Sequence, residues 1–406
     1  MSASNGTTVH LRVSVEAAQG SRKSMEDYTA VTLDKREDSE CFFAVFDGHG
    51  GHQAAFFARQ NLWKTIQKQK DFYSSDPDEV GKAIKRAFIE VHTAMWKERD
   101  SWPKTKYGTP STAGTTASVV IMRGRHMYVA NVGDSRVVLA HEDGEGLKAV
   151  PLTVDHKPED PLEVQRIKSL GGQIGRSNGI FRVAWNRVSR IGKHRGPVLR
   201  STKMESVPFL AIARSLGDLW SFNPLVGDFL VSPIPDVHYR LIDPRKDKFV
   251  VLASDGLWNA MRNKEVVHFV DNIEKNVFDM DWRDDVTHRL TCRALAKWRE
   301  RNIRADNTSA IVVFFDEQEK AVAPYLPYSP PSDTETELGE ATPSLSRSNS
   351  STASDTPEER PKLKREFAFY NGSLLTKKHK DIKRTRSSAL DTDTEREFKK
   401  IILSDD

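Results

Sequence analysis

Short, strongly apolar runs divided by polar turns fill the first three quarters of the chain. LRVSVEAA (11–18), DYTAVTL (27–33), CFFAVF (41–46), KFVVLAS (248–254) and SAIVVFF (309–315) are of strand length and rich in Val, Phe and Ile, which suit a pleated, buried surface. Residues 115–144, TTASVVIMRGRHMYVANVGDSRVVLAHEDG, hold three such runs separated by the breaks RGRH and GDSR. Links this short predict antiparallel neighbours, since a parallel crossover takes about a dozen residues or more. Elsewhere the apolar period lengthens to that of a helix. In QAAFFARQNLWKTIQKQK (53–70), Phe56, Phe57, Leu62, Trp63 and Ile66 can share a face. In PDEVGKAIKRAFIEVHTAMWKERD (77–100) the stripe is Val80, Ile84, Phe88, Val91 and Met95. DDVTHRLTCRALAKWRERN (284–302) places Val286, Leu290, Ala294 and Trp298 at steps of four. Long helices beside mostly antiparallel strands predict an α+β fold, sheet packed on sheet with helices outside.

Beyond Asp316 the pattern stops. PYLPYSPPSDTETELGEATPSLSRSNSSTASDTPEERPK is rich in Pro, Ser, Thr and Glu and poor in large apolar residues, so it cannot bury enough surface to offset chain entropy. The expected division is one folded domain over 1–318 and a disordered tail over 319–406. The formal charge of +4 is small for 406 residues, so its local distribution carries more meaning than its sum. Two cysteines, Cys41 and Cys292, are too few for a disulfide framework and favour a reducing compartment. The first residues, MSASNGTTVHLRV, lack an apolar core of signal-peptide length, and no apolar run nears the roughly 18 residues of a membrane span. The expectation is a soluble intracellular protein with no membrane partner.

Carboxylates recur where apolar strands begin or end. FFAVFDGHGG finishes a strand on Asp47, with Gly48 and His49 following, and KFVVLASDGLW ends on Asp255. Asp306 stands just before SAIVVFF, and Asp134 lies in a tight turn between two runs. GSRKSMEDYTAV sets Arg22, Glu26 and Asp27 ahead of another strand. For any one site the ordinary reading, Asp and Gly as turn residues, suffices. Several carboxylates gathered at the ends of one sheet would repel one another unless a cation neutralised them. Oxygen donors suit hard cations such as Mg²⁺ or Mn²⁺.

The blocks RKSMED, FDGHGG, STAGTTASVV, VANVGDSRVVL, LTVDHKP, IARSLGD, LASDGLW and ADNTSAIVV occur in this order. In that order they resemble the metal-dependent serine/threonine protein phosphatases of type 2C over roughly residues 11–316. LWKTIQKQKDF, MWKERDSWPKT, GTPSTAGTTASVVI and RSLGDLWSF are most similar to the delta type, which acts in DNA-damage signalling. The resemblance implies a four-layer α/β/β/α sandwich of two mainly antiparallel sheets flanked by helices. It implies two divalent cations, Mg²⁺ or Mn²⁺, held by Asp47, the Gly48 carbonyl, Asp255 and Asp306. Glu26 and Asp27 would act through waters, and Asp134 with Asp255 would hold a weaker third ion. It implies in-line attack on phosphorus by metal-activated water, with Arg22 on the phosphoryl oxygens and His49 as general acid for the alkoxide leaving group. Asn259 departs from the family, which often has Asp four residues after the SDG ligand, so the third ion should bind more weakly. Neither cysteine lies in a Cys-x₅-Arg phosphate cradle and no Walker loop is present.

Residues 176–203 contain eight Lys or Arg and no acidic residue. A solvated basic loop, a nucleic-acid groove and a substrate flap are the three readings. The resemblance favours the flap, with Arg182, Arg187, Arg190, Lys193 and Arg195 as candidate contacts to phosphorylated or acidic substrate, and disfavours nucleic acid. The tail segment 376–388 packs Lys377, Lys378, Lys380, Lys383, Arg384 and Arg386 together. Such a cluster reads as a nuclear import signal. The expected partners are therefore phosphorylated proteins, namely stress or DNA-damage checkpoint kinases and their targets, and the nuclear import machinery. The protein is expected in the nucleus, with the cytosol as the other location, and as a monomer. The rival reading is a phosphoprotein-binding module that keeps the fold and has lost the chemistry.

Overall fold

The structure is a computed structural model that describes residues 9–33, 40–106, 108–188, 204–276 and 286–317. Two five-stranded antiparallel sheets form the body. One is built, in chain order, from β1 (Val9–Ala18), β6 (Arg136–Asp143), β7 (Gly146–Pro151), β12 (Asp247–Ala253) and β13 (Thr308–Glu317), with spatial order β1-β13-β12-β6-β7. The other contains β2 (Tyr28–Thr32), β3 (Glu40–Phe46), β4 (Ala117–Arg123), β5 (His126–Val132) and β11 (Asp236–Leu241), in the order β11-β5-β4-β3-β2.

The strands read as unbroken apolar runs because both faces are covered. Phe42, Ala44 and Phe46 of β3 pack with α1 (Gln53–Gln67) and α2 (Pro77–Glu98), while Cys41, Phe43 and Val45 alternate into the gap between the sheets. Across that gap stand Val250, Leu252, Ile311 and Val313, whereas Val251, Ala253, Val312 and Phe314 turn outward against α4 (Asp255–Trp258), α5 (Asn263–Asn276) and α6 (Val286–Glu300). Three apolar layers between four layers of structure make the α/β/β/α sandwich that the sequence implied.

Three sequence expectations change. RGRH does join antiparallel neighbours, β4 and β5, but GDSR does not. β5 and β6 belong to different sheets, and the Gly133-Asp134-Ser135 turn, with Gly133 at φ 99°, carries the chain from one to the other. A short link limits the distance between strand ends, not the sheet they join. On α1 the buried face is Ala54, Ala55, Ala58, Leu62 and Ile66, and Phe56 is 41% exposed. Small residues allow the helix to approach the sheet closely, so size, not apolarity alone, sets the inward face. The basic segment starts as structure: β8 (Ile174–Ser177), β9 (Ile180–Val188) and β10 (Met204–Leu210) form a third antiparallel sheet. Ile167 of α3 (Pro161–Ser169) packs there with Val183, Ala213, Leu230 and Val231. The tail from residue 319 onward and its basic cluster lie outside the described residues.

Candidate active site

Antiparallel register brings the carboxylates to one end of the sandwich. Asp47 follows the last residue of β3, and Asp27 precedes Tyr28, which pairs with Phe46. Asp255 is the first residue of α4, one residue beyond the end of β12, whose Ala253 pairs with Ala310 of β13 and Arg136 of β6. Asp306 therefore enters from the chain before β13, and Asp134 from the turn before β6. No local sequence rule dictates this convergence; alternating strand direction does.

Backbone packing holds the loops together. A Cβ on Gly48 would collide with the Glu26 carbonyl oxygen, and one on Gly256 with the Asn307 carbonyl oxygen. These glycines serve close approach of one loop to another. Asn307, which the sequence did not single out, is the hub. Its Oδ1 accepts the Glu26 N–H at 2.8 Å, and its Nδ2 donates to the carbonyls of Gln19 at 2.8 Å and Ser24 at 3.1 Å. Glu26 in turn accepts from the Ser24 hydroxyl at 3.0 Å and the Gly51 N–H at 3.2 Å.

The acidic groups perturb one another. Burial first, then the charges of Asp27, Asp255, Asp134 and Asp306, hold the Asp47 carboxyl well above the usual range. Burial followed by Asp134 and Asp306 raises Asp255 in the same way. Protein donors answer part of this charge: Arg22 pairs with Asp306, Lys157 with Asp134, and the Asn259 amide donates to Asp255 at 3.0 Å. Among the described residues, no three carboxylate, imidazole or thiol groups form a closed ligand cluster. The donor set still fits a hard divalent cation, being all oxygen and mutually repelling. Asp27 adds a buried Oδ1 with no hydrogen-bond partner, while its Oδ2 accepts from Ser309 at 2.9 Å.

His49 lies beside this edge and is held by a residue the sequence reading passed over. Its Nε2 meets Asp218 Oδ2 at 2.7 Å, and Asp218 is fully buried. The Asp218 carboxylate also accepts from the Ser215 hydroxyl at 2.6 Å and the Trp220 indole N–H at 2.7 Å. Burial alone would lower the His49 pKa, but the charge and hydrogen bond of Asp218 outweigh it and set the imidazole above its ordinary value. Asp218 closes the IARSLGD block, but nothing in one sequence links it to His49 across 169 residues. A Cβ on Gly114 would strike both the Asp218 carboxylate and the His49 ring, which explains the glycine in STAGTTASVV.

Of the basic candidates, Arg182 donates to the Phe209 carbonyl at 2.8 Å and so braces β9 against β10. The backbone of Arg187 pairs opposite Glu205. Arg190, Lys193 and Arg195 lie outside the described residues.

Residues 11–303 match the family model described as Protein phosphatase 2C. That match includes Arg22 to Asp255 and ends three residues before Asp306. "Probable protein phosphatase 2C 11" of Arabidopsis thaliana is 32% identical over 311 residues, which cover 76% of this chain and 68% of that protein. Human "Protein phosphatase 1A" is 33% identical over 284 residues, 65% of this chain and 64% of that protein. Among solved structures, "Crystal structure of serine-threonine phosphatase 2C from Toxoplasma gondii" superposes with a TM-score of 0.59 at 21% identity, covering 77% of this chain and 96% of that one. At that identity the likeness is one of fold.

Proposed function

Since the chain belongs to the protein phosphatase 2C family, we propose that it hydrolyses phosphoserine and phosphothreonine in proteins with the carboxylate-lined edge, Arg22 and His49 as its working parts. The observation that carries this reading is the pairing of half-buried His49 with the buried Asp218 carboxylate, set next to mutually repelling carboxylates. Divalent cations held by Asp47, the Gly48 carbonyl, Asp255 and Asp306 would supply an activated nucleophile and neutralise charge on phosphorus. Arg22 pairs with one carboxylate oxygen of Asp306, and a phosphoryl group offers the guanidinium two such oxygens at once, so Arg22 binds and orients the substrate phosphate. Asp218 takes up Nε2 of His49, which leaves Nδ1 to give its proton to the serine or threonine Oγ as the P–O bond breaks.

The finer assignments are part of the proposal. The delta-type likeness of several blocks supports checkpoint kinases and their targets as substrates. The eight cations of residues 176–203 favour doubly phosphorylated or acidic segments, and the 376–388 cluster supports a nuclear location. The deciding assay is phosphate release from a phosphothreonine peptide with Mg²⁺ or Mn²⁺, with chelator, and with Asp255→Ala. Turnover that requires the cation and drops at least about 10²-fold in the variant is expected. Peptide binding without turnover under either cation would instead make the protein a phosphoprotein-binding module.

A further inference from the structure

One fully buried histidine has no place in the chemistry above. His92 lies on the inward stripe of α2, among Val80, Ala83, Ile84, Ala87, Phe88, Val91 and Met95. Its Nδ1 accepts the Gly217 backbone N–H at 3.3 Å, whereas Nε2 is buried with no hydrogen-bond partner. The ring stands nearly perpendicular to that of Phe229, with centroids 4.3 Å apart. A polar atom buried without a partner costs about 1–3 kcal/mol, so an apolar side chain would be the more stable occupant unless the other nitrogen had a task. Burial drives the imidazole pKa down to about 3, so at neutral pH the ring is uncharged and its Nδ1 lone pair is free to accept.

The turn that His92 holds is a strained one. Gly217 sits at φ 82°, and Asp218, not a glycine, at φ 50°. A non-glycine residue in this region costs on the order of 1–3 kcal/mol and persists only where its surroundings over-determine it. Asp218 N–H donates to the Ala113 carbonyl at 3.0 Å, and a Cβ on Gly217 would meet that same oxygen at 2.7 Å. The histidine-to-glycine bond recurs at a second turn among the described residues. His156 Nδ1 accepts the Gly133 N–H at 3.2 Å, and Gly133 precedes Asp134 just as Gly217 precedes Asp218. His156 has a second partner, Asp236 at 3.1 Å, whereas Nε2 of His92 has none among the described residues, so its ring is tied to the chain through the Gly217 N–H.

We propose that His92 is a positioning residue: by accepting the Gly217 N–H it fixes the left-handed turn that presents the Asp218 carboxylate to His49. The inference rests on the reading of His49 as proton donor to the leaving group. Asn and Leu are nearly isosteric, and only Asn places an acceptor where Nδ1 stands. The test compares wild type, His49→Ala, His92→Leu and His92→Asn at saturating Mg²⁺. Each is assayed on a phosphothreonine peptide, whose leaving alkoxide needs a proton, and on p-nitrophenyl phosphate, whose leaving group does not.

His49→Ala should lose about 10²-fold in kcat on the peptide and little on the aryl ester. His92→Leu should lose about tenfold on the peptide at unchanged KM, stay within about twofold on the aryl ester, and be largely rescued in His92→Asn. Equal losses on both substrates in the His92 variants, or no difference between Leu and Asn, overturn the positioning role while leaving His49 untouched. Absence of a leaving-group difference in His49→Ala overturns the proton-donor reading and the inference with it. The Gly217 amide proton gives a readout independent of turnover and of the stability of the Leu variant. A downfield resonance in wild type and His92→Asn is expected, and a fast-exchanging, unshifted amide in wild type would refute the bond.

Discussion

Asp218 and Asp247 are both fully buried carboxylates, and their partners give them different work. Asp218 faces a titratable group at the site. Asn in its place keeps the shape and removes the charge that holds the His49 pKa up. An acid must be protonated to donate, and a raised pKa keeps His49 protonated to higher pH. Asp218→Asn should therefore lower peptide kcat by about 10²-fold and move the alkaline limb of its pH profile toward lower pH. A limb that stays in place would mean that His49 does not set it. Asp247 lies at the start of β12, far along the strand from that edge. It accepts from Arg240 at 2.8 Å, from the Asp243 N–H at 3.0 Å, and meets His141 Nδ1 at 2.8 Å. Burial alone would raise its pKa, but these partners prevail and the carboxyl lies below its ordinary value. A depressed pKa gives stability that is present above the unfolded value, about 3.9, and lost as pH falls through the folded one. Asp247→Asn should cost about 3 kcal/mol at pH 7, and urea titrations should show the gap closing below about pH 4.

At the scale of elements, α2 was the most legible helix and α5 among the least, while α1 was found but its inward face only in part. α2 declares its start: Asp76, in extended backbone, accepts the Asp78 N–H at 3.0 Å, and Pro77 occupies the first turn. Its stripe from Val80 to Met95 is buried as expected. Asp76→Ala should lower stability by about 1 kcal/mol, seen as a shifted urea midpoint at unchanged m-value. α5 has Val266, Val267, Val270 and Ile273 on its buried face, a pattern present in the sequence but interrupted by Lys, Glu, His and Asp, and the reading passed over it. β11 was passed over for a different reason. As an edge strand it is half exposed, so DVHYRL carries no apolar run to announce it.

For the molecule as a whole, the layer between the sheets governs stability. Leu252 is fully buried there among Phe43, Val45, Ile311 and Val313, which belong to both sheets. Leu252→Ala should cost about 3 kcal/mol through lost transfer energy and a cavity that two facing sheets cannot close. Because that layer is shared, far-UV circular dichroism and tryptophan fluorescence should report one coincident unfolding transition. Two separate transitions would show that the sheets are stable apart.

The sequence by itself determined the strands with two buried faces, the long α2 stripe, the acidic residues at strand ends and, through eight ordered blocks, the family. Those properties are local: apolar run length, helical period and turn chemistry are written within a few residues. Only the tertiary structure decided which strands share a sheet, as the GDSR turn shows, and which distant residues meet. Asp218 reaching His49, Asn307 binding the Glu26 loop and His92 holding Gly217 all arise from contacts across the fold. Such contacts depend on register and layer packing, which fix positions in space that no short stretch of chain encodes.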